Sequence, residues 1–282
     1  MNKVPIVHGE FRKIKIKNIR KLGKKNINTI PLILLTPYAG KIKIIVNTIE
    51  SILLQLKKND KWIIILDNPK IEDYNYLKKR YKKLILLNYL GPNGAGYARN
   101  FGLDYISKNI KGQFFLFPFD GDDRIVNNGV ELIKKAMRTS SFNIVSFAHI
   151  KIWSNGKKKV VKYSGVFSLS DILKKYTTPC GSTVLKINNA KILNFFRFSK
   201  RIRANDALFF YSAVKYFSKF ECKPDILLKY KVGNHQSLSG KKYIMPYYKF
   251  LSLKDFKVGK LRIIIYLMFY IYYAINRFFF KH

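Results

Sequence analysis

Four short apolar runs, at Leu32–Leu35, Trp62–Leu66, Leu84–Leu87 and Phe114–Phe117, recur along the first half of the chain. Within each run the apolar residues follow one another without polar alternation, which predicts strands of a parallel sheet covered on both faces. Between the runs the spacing changes. Ile45, Ile49, Ile52, Leu53 and Leu56 recur at helical intervals across Ile42–Leu56, a more polar helix is predicted around Glu72–Tyr81, and another at Gly96–Ser107. Alternating β and α units of this length imply right-handed crossovers in an α/β fold with a mostly parallel sheet. A further helix is predicted at Val130–Met137. The pattern then shifts to Phe142–Ile152, a turn at Asn155-Gly156 and Val160–Tyr163, which predicts a hairpin. Helices are expected at Ser170–Tyr176 and from Ala204. Residues 1–28 are basic and weakly patterned, with a short alternating stretch at Phe11–Ile16 that suits an edge strand, and read as a lead-in.

Parallel sheets of this type bind ligands beyond the carboxyl ends of their strands. Asp67 follows the second apolar run there, and Asp120-Gly121-Asp122-Asp123 follows the fourth.

Composition narrows the function. The chain has 282 residues, 48% hydrophobic and 15% aromatic, which is enough to bury a core and excludes a disordered basic tail. Its 54 Lys and Arg against 16 Asp and Glu give a formal charge of +38, which attracts polyanions: nucleic acid, anionic lipid or phosphorylated substrates. Part of the Lys, Ile and Asn excess fits coding bias in an AT-rich genome. Cys180 and Cys222 make no disulfide framework and no zinc spacing, and the basic N-terminus is not followed by a signal-length apolar stretch. A cytoplasmic location is expected.

Where acids are scarce, three carboxylates among four residues need a reason. Their repulsion is offset either by the N-terminus of the helix at Val130–Met137, for which Asp is a favoured cap, or by a divalent cation. Mg²⁺ or Mn²⁺ takes one or two carboxylates together with substrate phosphates, so the cation reading leads to a nucleotide diphosphate.

Thr36-Pro37, Ser51–Gln55, Asp67, Asn93-Gly94, Ala98-Arg99-Asn100-Phe101-Gly102 and Phe117–Asp123 stand in an order that resembles the inverting glycosyltransferases of family 2. The resemblance spans Ile30 to Ser239. It implies a GT-A fold over residues 29–245, with a nucleotide-sugar donor held by Thr36, Pro37, Tyr38, Asp67, Gly94, Arg99, Asp120 and Gly121. Asp67 would meet the base, Asp120 and Asp122 would form the DxD pair on ribose and metal, and Arg99 would brace the nucleotide or the acidic loop. The pattern departs from the family at Asp67-Asn68-Pro69 and at Tyr38-Ala39-Gly40. Arg203–Phe209 matches the family's segment for the catalytic base, with Asn205 where Glu is usual, and makes Asp206 the candidate base; a helix-dipole role for Asp206 is the alternative. Thr177–Ser182 matches a loop facing sugar and acceptor, or an ordinary turn. Within Asn234–Ser239, His235 would be a third metal ligand or a phosphate contact, against an ordinary loop role.

Ile263–Phe280 is apolar and aromatic, with Arg262, Tyr266, Tyr270, Tyr273 and Arg277 on one side of a helix. Slightly short of the ~20 residues of a span, it reads as an in-plane amphipathic anchor within a membrane-associating segment at 246–282, or as a helix packed on protein. Together these readings expect a peripheral cytoplasmic glycosyltransferase using Mn²⁺ or Mg²⁺ and a UDP-sugar or related donor, acting on a bacterial surface glycan or lipid-linked acceptor. A basic nucleic-acid-binding protein and a metal-dependent nucleotidyltransferase are the rivals; no nucleic-acid module is recognised.

Overall fold

The structure, a computed structural model, describes residues 30–174, 180–201 and 205–232. The lead-in, His235 and the segment 246–282 lie outside the described residues, as does Thr177–Pro179.

The first half runs β1 (Leu32–Tyr38), α1 (Ile42–Leu53), β2 (Lys61–Asp67), α2 (Ile71–Arg80), β3 (Ile85–Tyr89), α3 (Ala95–Asn109) and β4 (Phe114–Pro118). The second half runs β5 (Arg124–Ile125), α4 (Gly129–Thr139), β6 (Ile144–Trp153), β7 (Lys158–Val161), β8 (Gly165–Ser168), α5 (Leu169–Lys174), β9 (Thr183–Ile187), α6 (Asn205–Phe217) and β10 (Lys219–Val232). Short 3₁₀ turns occupy Cys180–Ser182 and Ala190–Phe195.

One sheet joins all ten strands in the order β3-β2-β1-β4-β9-β6-β10-β5, with β7 on β6 and β8 on β10. The strands β3, β2, β1 and β4 are mutually parallel, as are β6 and β10. Antiparallel β9 lies between β4 and β6, so those two strands run the same way. The sheet is therefore mixed, with most of its strands sharing one direction. β6 and β7 form the expected hairpin.

Both faces are covered, which is why the apolar runs are continuous. On one face Ile33, Leu35, Ile63, Ile65, Phe114 and Leu116 meet α3 and α6. On the other, Leu32, Leu34, Trp62, Ile64, Phe115 and Phe117 meet α1, α2 and α4. The successive residues of each strand point to opposite layers. At the amino end of the sheet Asp60 accepts hydrogen bonds from the backbone of Leu32 (2.9 Å) and Lys57 (2.8 Å) and pairs with buried Lys134 (2.7 Å). That carboxylate fastens β1, the turn before β2, and α4 to one another, leaving the carboxyl ends of the strands for ligand. Among the described residues no helix is long and apolar enough to cross a membrane.

Candidate active site

β1, β2 and β4 end side by side because they are parallel and in register, Pro37 opposite Ile65 and Leu35 opposite Pro118. Tyr38, Asp67 and the acidic loop 120–123 are brought together in this way. A pocket of about 250 Å³ opens there, lined among others by Tyr38, Gly40, Asp67, Asn68, Lys70 and Asp73.

The Tyr38 ring crosses from this pocket to the acidic loop. A Cβ on Gly121 would come within 2.6 Å of Tyr38 Cδ2, and one on Gly40 within 2.8 Å of the phenol oxygen, so a side chain at either position would displace the ring. The phenol donates to the carbonyl of Lys41 at 2.6 Å. Burial, with Asp122 and Asp73 adding negative charge, pushes its pKa up to about 12, so it stays a neutral donor. Thr36 and Pro37 are buried in β1. The Thr36 hydroxyl accepts from Trp62 Nε1 at 2.9 Å, which commits it to the core beneath the pocket.

Asp67 accepts from the backbone N–H of Gly94 (2.9 Å) and from Asn68 Nδ2 (3.0 Å). Gly94 precedes α3 with φ 142, a conformation costly for residues with a Cβ. Asp67 thus fixes the start of α3 as well as lining the pocket. One turn on, Arg99 lies buried at 4% exposure. Its guanidinium pairs with Asp120 through Nη2, donates through Nη1 to Asn205 Oδ1 at 2.7 Å, and stacks over Phe198 with the ring centre 5.0 Å away.

The acidic loop does not cap a helix. α4 begins after Asn128, whose own left-handed conformation (φ 61) starts it without a side-chain cap, and β5 intervenes between the loop and that helix. The capping alternative for Asp120, Asp122 and Asp123 is therefore corrected by position alone. The loop is instead held by the turn from Asp123 N to Asp120 O (3.2 Å), by Thr48 Oγ1 donating to Gly121 O (2.9 Å), and by Arg99. Asp122 is exposed, yet desolvation by its surroundings and the charge of Asp120 raise its pKa. Asp123 is 2% exposed, its Oδ2 has no hydrogen-bond partner among the described residues, and burial followed by Asp120 and Asp122 raises its pKa strongly. Gly181 packs against it; a Cβ there would lie 3.4 Å from Asp123 Oδ2. Positive charge reaches the three carboxylates from Arg99 and Lys231, and among the described residues no group of three or more His, Cys, Asp or Glu side chains is arranged to hold a metal ion.

Asp206 stands in the first turn of α6 and is half-buried. Its neighbour Asn205 is tied to Arg99 by the bond above and accepts from Ser199 N at 2.8 Å through its carbonyl. α3 lies close by: a Cβ on Gly96 would be 2.0 Å from Ser199 O and 3.3 Å from Asn205 Cβ. Sequence reasoning named Asn205 only as a departure beside Asp206, and passed over Thr48, Lys70 and Asp73. Thr48 carried a signal, being a polar residue within the apolar stripe of α1; the others carried none.

The fold is of the mixed α/β class, with a cleft of about 250 Å³ at the carboxyl ends of its strands. No family model matches the sequence. The chain is similar to proteins named uncharacterized glycosyltransferases. One from Rickettsia conorii is 28% identical over 149 residues, which are 52% of this chain and 24% of that protein. Another, from Methanocaldococcus jannaschii, is 25% identical over 79% of this chain and 77% of its own length. The match thus spans about a quarter of the Rickettsia relative. Among solved structures, S. aureus TarS residues 1–349 superposes with TM-score 0.60 at 16% identity, over 89% of this chain and 73% of that one. The same region solved in complex with UDP-GlcNAc gives TM-score 0.60 at 15% identity, over 83% and 69%. These likenesses show the fold.

Proposed function

We propose that the chain is an inverting glycosyltransferase of GT-A type that transfers a sugar from a nucleotide diphosphate sugar, a UDP-sugar above others, to a surface-glycan acceptor. The observation that carries the reading is the acidic loop at the end of β4, braced by Arg99 beside the Tyr38–Asp67 pocket and linked to the helix that bears Asp206. The glycosyltransferase names of the relatives and the UDP-GlcNAc complex of the TarS structure support it.

In this reading the base and ribose occupy the pocket at Tyr38 and Asp67, and the diphosphate lies toward Asp120 and Asp122. A divalent ion would rest on Asp122 with Asp120, substrate oxygens and water completing its shell, in keeping with the preference of Mg²⁺ and Mn²⁺ for few protein carboxylates. When bound it would neutralise charge building on the departing diphosphate. Asp120 would orient the donor while Arg99 holds that carboxylate in place. Asp206 would accept the proton of the acceptor hydroxyl as that oxygen bonds to the anomeric carbon from the face opposite the leaving diphosphate. Peripheral membrane docking through 246–282 belongs to the same proposal and rests on the aromatic, basic sequence of that segment.

The test is thermal denaturation with UDP, because a ligand that binds only the native state raises Tm. UDP should stabilise the protein in Mn²⁺ or Mg²⁺ and much less with chelator, and Asp122→Asn should remove the metal-dependent part. Equal stabilisation with and without metal, in both proteins, sinks the assignment.

A further inference from the structure

We infer that Asn205 is a positioning residue which, through Arg99, ties the placement of Asp206 to occupation of the acidic loop by a nucleoside diphosphate. The inference rests on the donor and base assignments proposed above. Arg99 is almost wholly buried and its guanidinium is a rigid plane. One nitrogen holds Asp120 in the donor loop and another holds the Asn205 side chain at 2.7 Å. Any shift of Asp120 on binding is therefore passed to Asn205 without the slack of a flexible side chain. Phe198 against the guanidinium limits the rotation that would absorb it.

The receiving end is equally constrained. Asn205 is 7% exposed, its carbonyl is bonded to Ser199 N at 2.8 Å, and its Cβ faces Gly96 of α3 with no room for a side chain between them. Asp206 follows it in the same helical turn. Because Asn205 is neutral, it directs Arg99 without competing with Asp120 for its charge. The donor loop keeps the cation and the base helix keeps the geometry, a division of labour typical of groups that orient a reacting side chain from behind.

Hydrogen–deuterium exchange of the full chain with UDP and Mn²⁺ tests this. In the wild type, amides of 120–123 and of 205–209 should both slow severalfold. Asn205→Leu should keep the loop response and lose the α6 response. In transfer assays Asn205→Leu should lower kcat about tenfold or more while donor KM changes little, a split that general destabilisation does not produce. If the leucine variant does not fold, Arg99→Lys replaces it, since one ammonium cannot span both partners; it too should uncouple α6 from the loop. A loop response without an α6 response in the wild type, or an α6 response that survives both substitutions, overturns the inference alone. If UDP slows neither segment in the wild type, the donor-site reading falls with it.

Discussion

Asp206 and His149 are both ionisable side chains, and they call for different measurements. If Asp206 takes the acceptor proton, Asp206→Asn should lower turnover by about 10²-fold or more and leave UDP affinity nearly unchanged. Single-turnover transfer and UDP titration on the same preparation separate the two; near-normal transfer by the variant would assign the proton to another group. His149 lies 2% exposed in β6, edge-on to Tyr230, with Nε2 lacking a hydrogen-bond partner among the described residues. Burial first, and Lys151 second, lower its pKa from 6.5 to about 4. The unfolded chain therefore takes up a proton that the native one refuses. Stability should be unaffected above pH 6.5 and fall by about 3 kcal/mol as pH drops to about 4. His149→Phe should flatten that part of a denaturant-midpoint profile against pH, and an unchanged slope would assign the acid sensitivity elsewhere. Cys222, buried and pushed up to about 12, should stay unreactive toward thiol reagents in the native protein.

At the scale of elements, the helix α3 concentrates the constraints. It begins on Gly94, carries Arg99, and packs so closely on Phe198, Ser199 and Asn205 that Asn100 exchanges hydrogen bonds with the backbone of Phe198 in both directions, at 2.9 Å each. Gly96→Ala would place a methyl carbon against Ser199 O, and the backbone there cannot swing aside as a side chain would. A cost of about 1–3 kcal/mol is expected, seen as a Tm drop of roughly 2–6 °C, with UDP binding weakened because Arg99 shifts with the helix. Unchanged Tm would mean that α3 and the backbone at Ser199 part easily. The elements of the first half were legible because each buries one uninterrupted apolar run or one apolar stripe, and neither pattern needs a distant partner to be recognised. The strands β9 and β10 were not. In Lys219–Val232 charged residues interrupt the apolar ones, Pro224 breaks the rhythm, and the register slips between Lys223 and Leu228, so its pairing with β6 depends on tertiary contacts. The acidic loop was visible as charge in a basic chain, and Asp206 through the resemblance of Arg203–Phe209 to a family segment. The link between them was not, because Asn205 and Arg99 are 106 residues apart and an amide paired with a guanidinium leaves no local signature.

For the molecule as a whole, the formal charge of +38 sets how it meets polyanions. Binding to duplex or single-stranded nucleic acid should be weak, indifferent to sequence and lost as salt rises, whereas UDP binding should change far less because its contacts lie within a recessed site. Filter binding and UDP titration across a salt series would show it; a sequence-selective complex at physiological salt would favour the nucleic-acid rival. The sheet order carries a different consequence, in the time domain of synthesis. β4, with Phe114, Phe115 and Phe117 all buried in the finished protein, is made long before β9, which covers its free edge. Until Thr183–Ile187 has left the ribosome, the nascent chain presents a flat, aromatic strand edge with nothing hydrogen-bonded to it, the arrangement most prone to pair with another chain. Antiparallel β9 therefore closes the β4 edge late, and the yield of soluble protein should depend on how quickly translation brings it out.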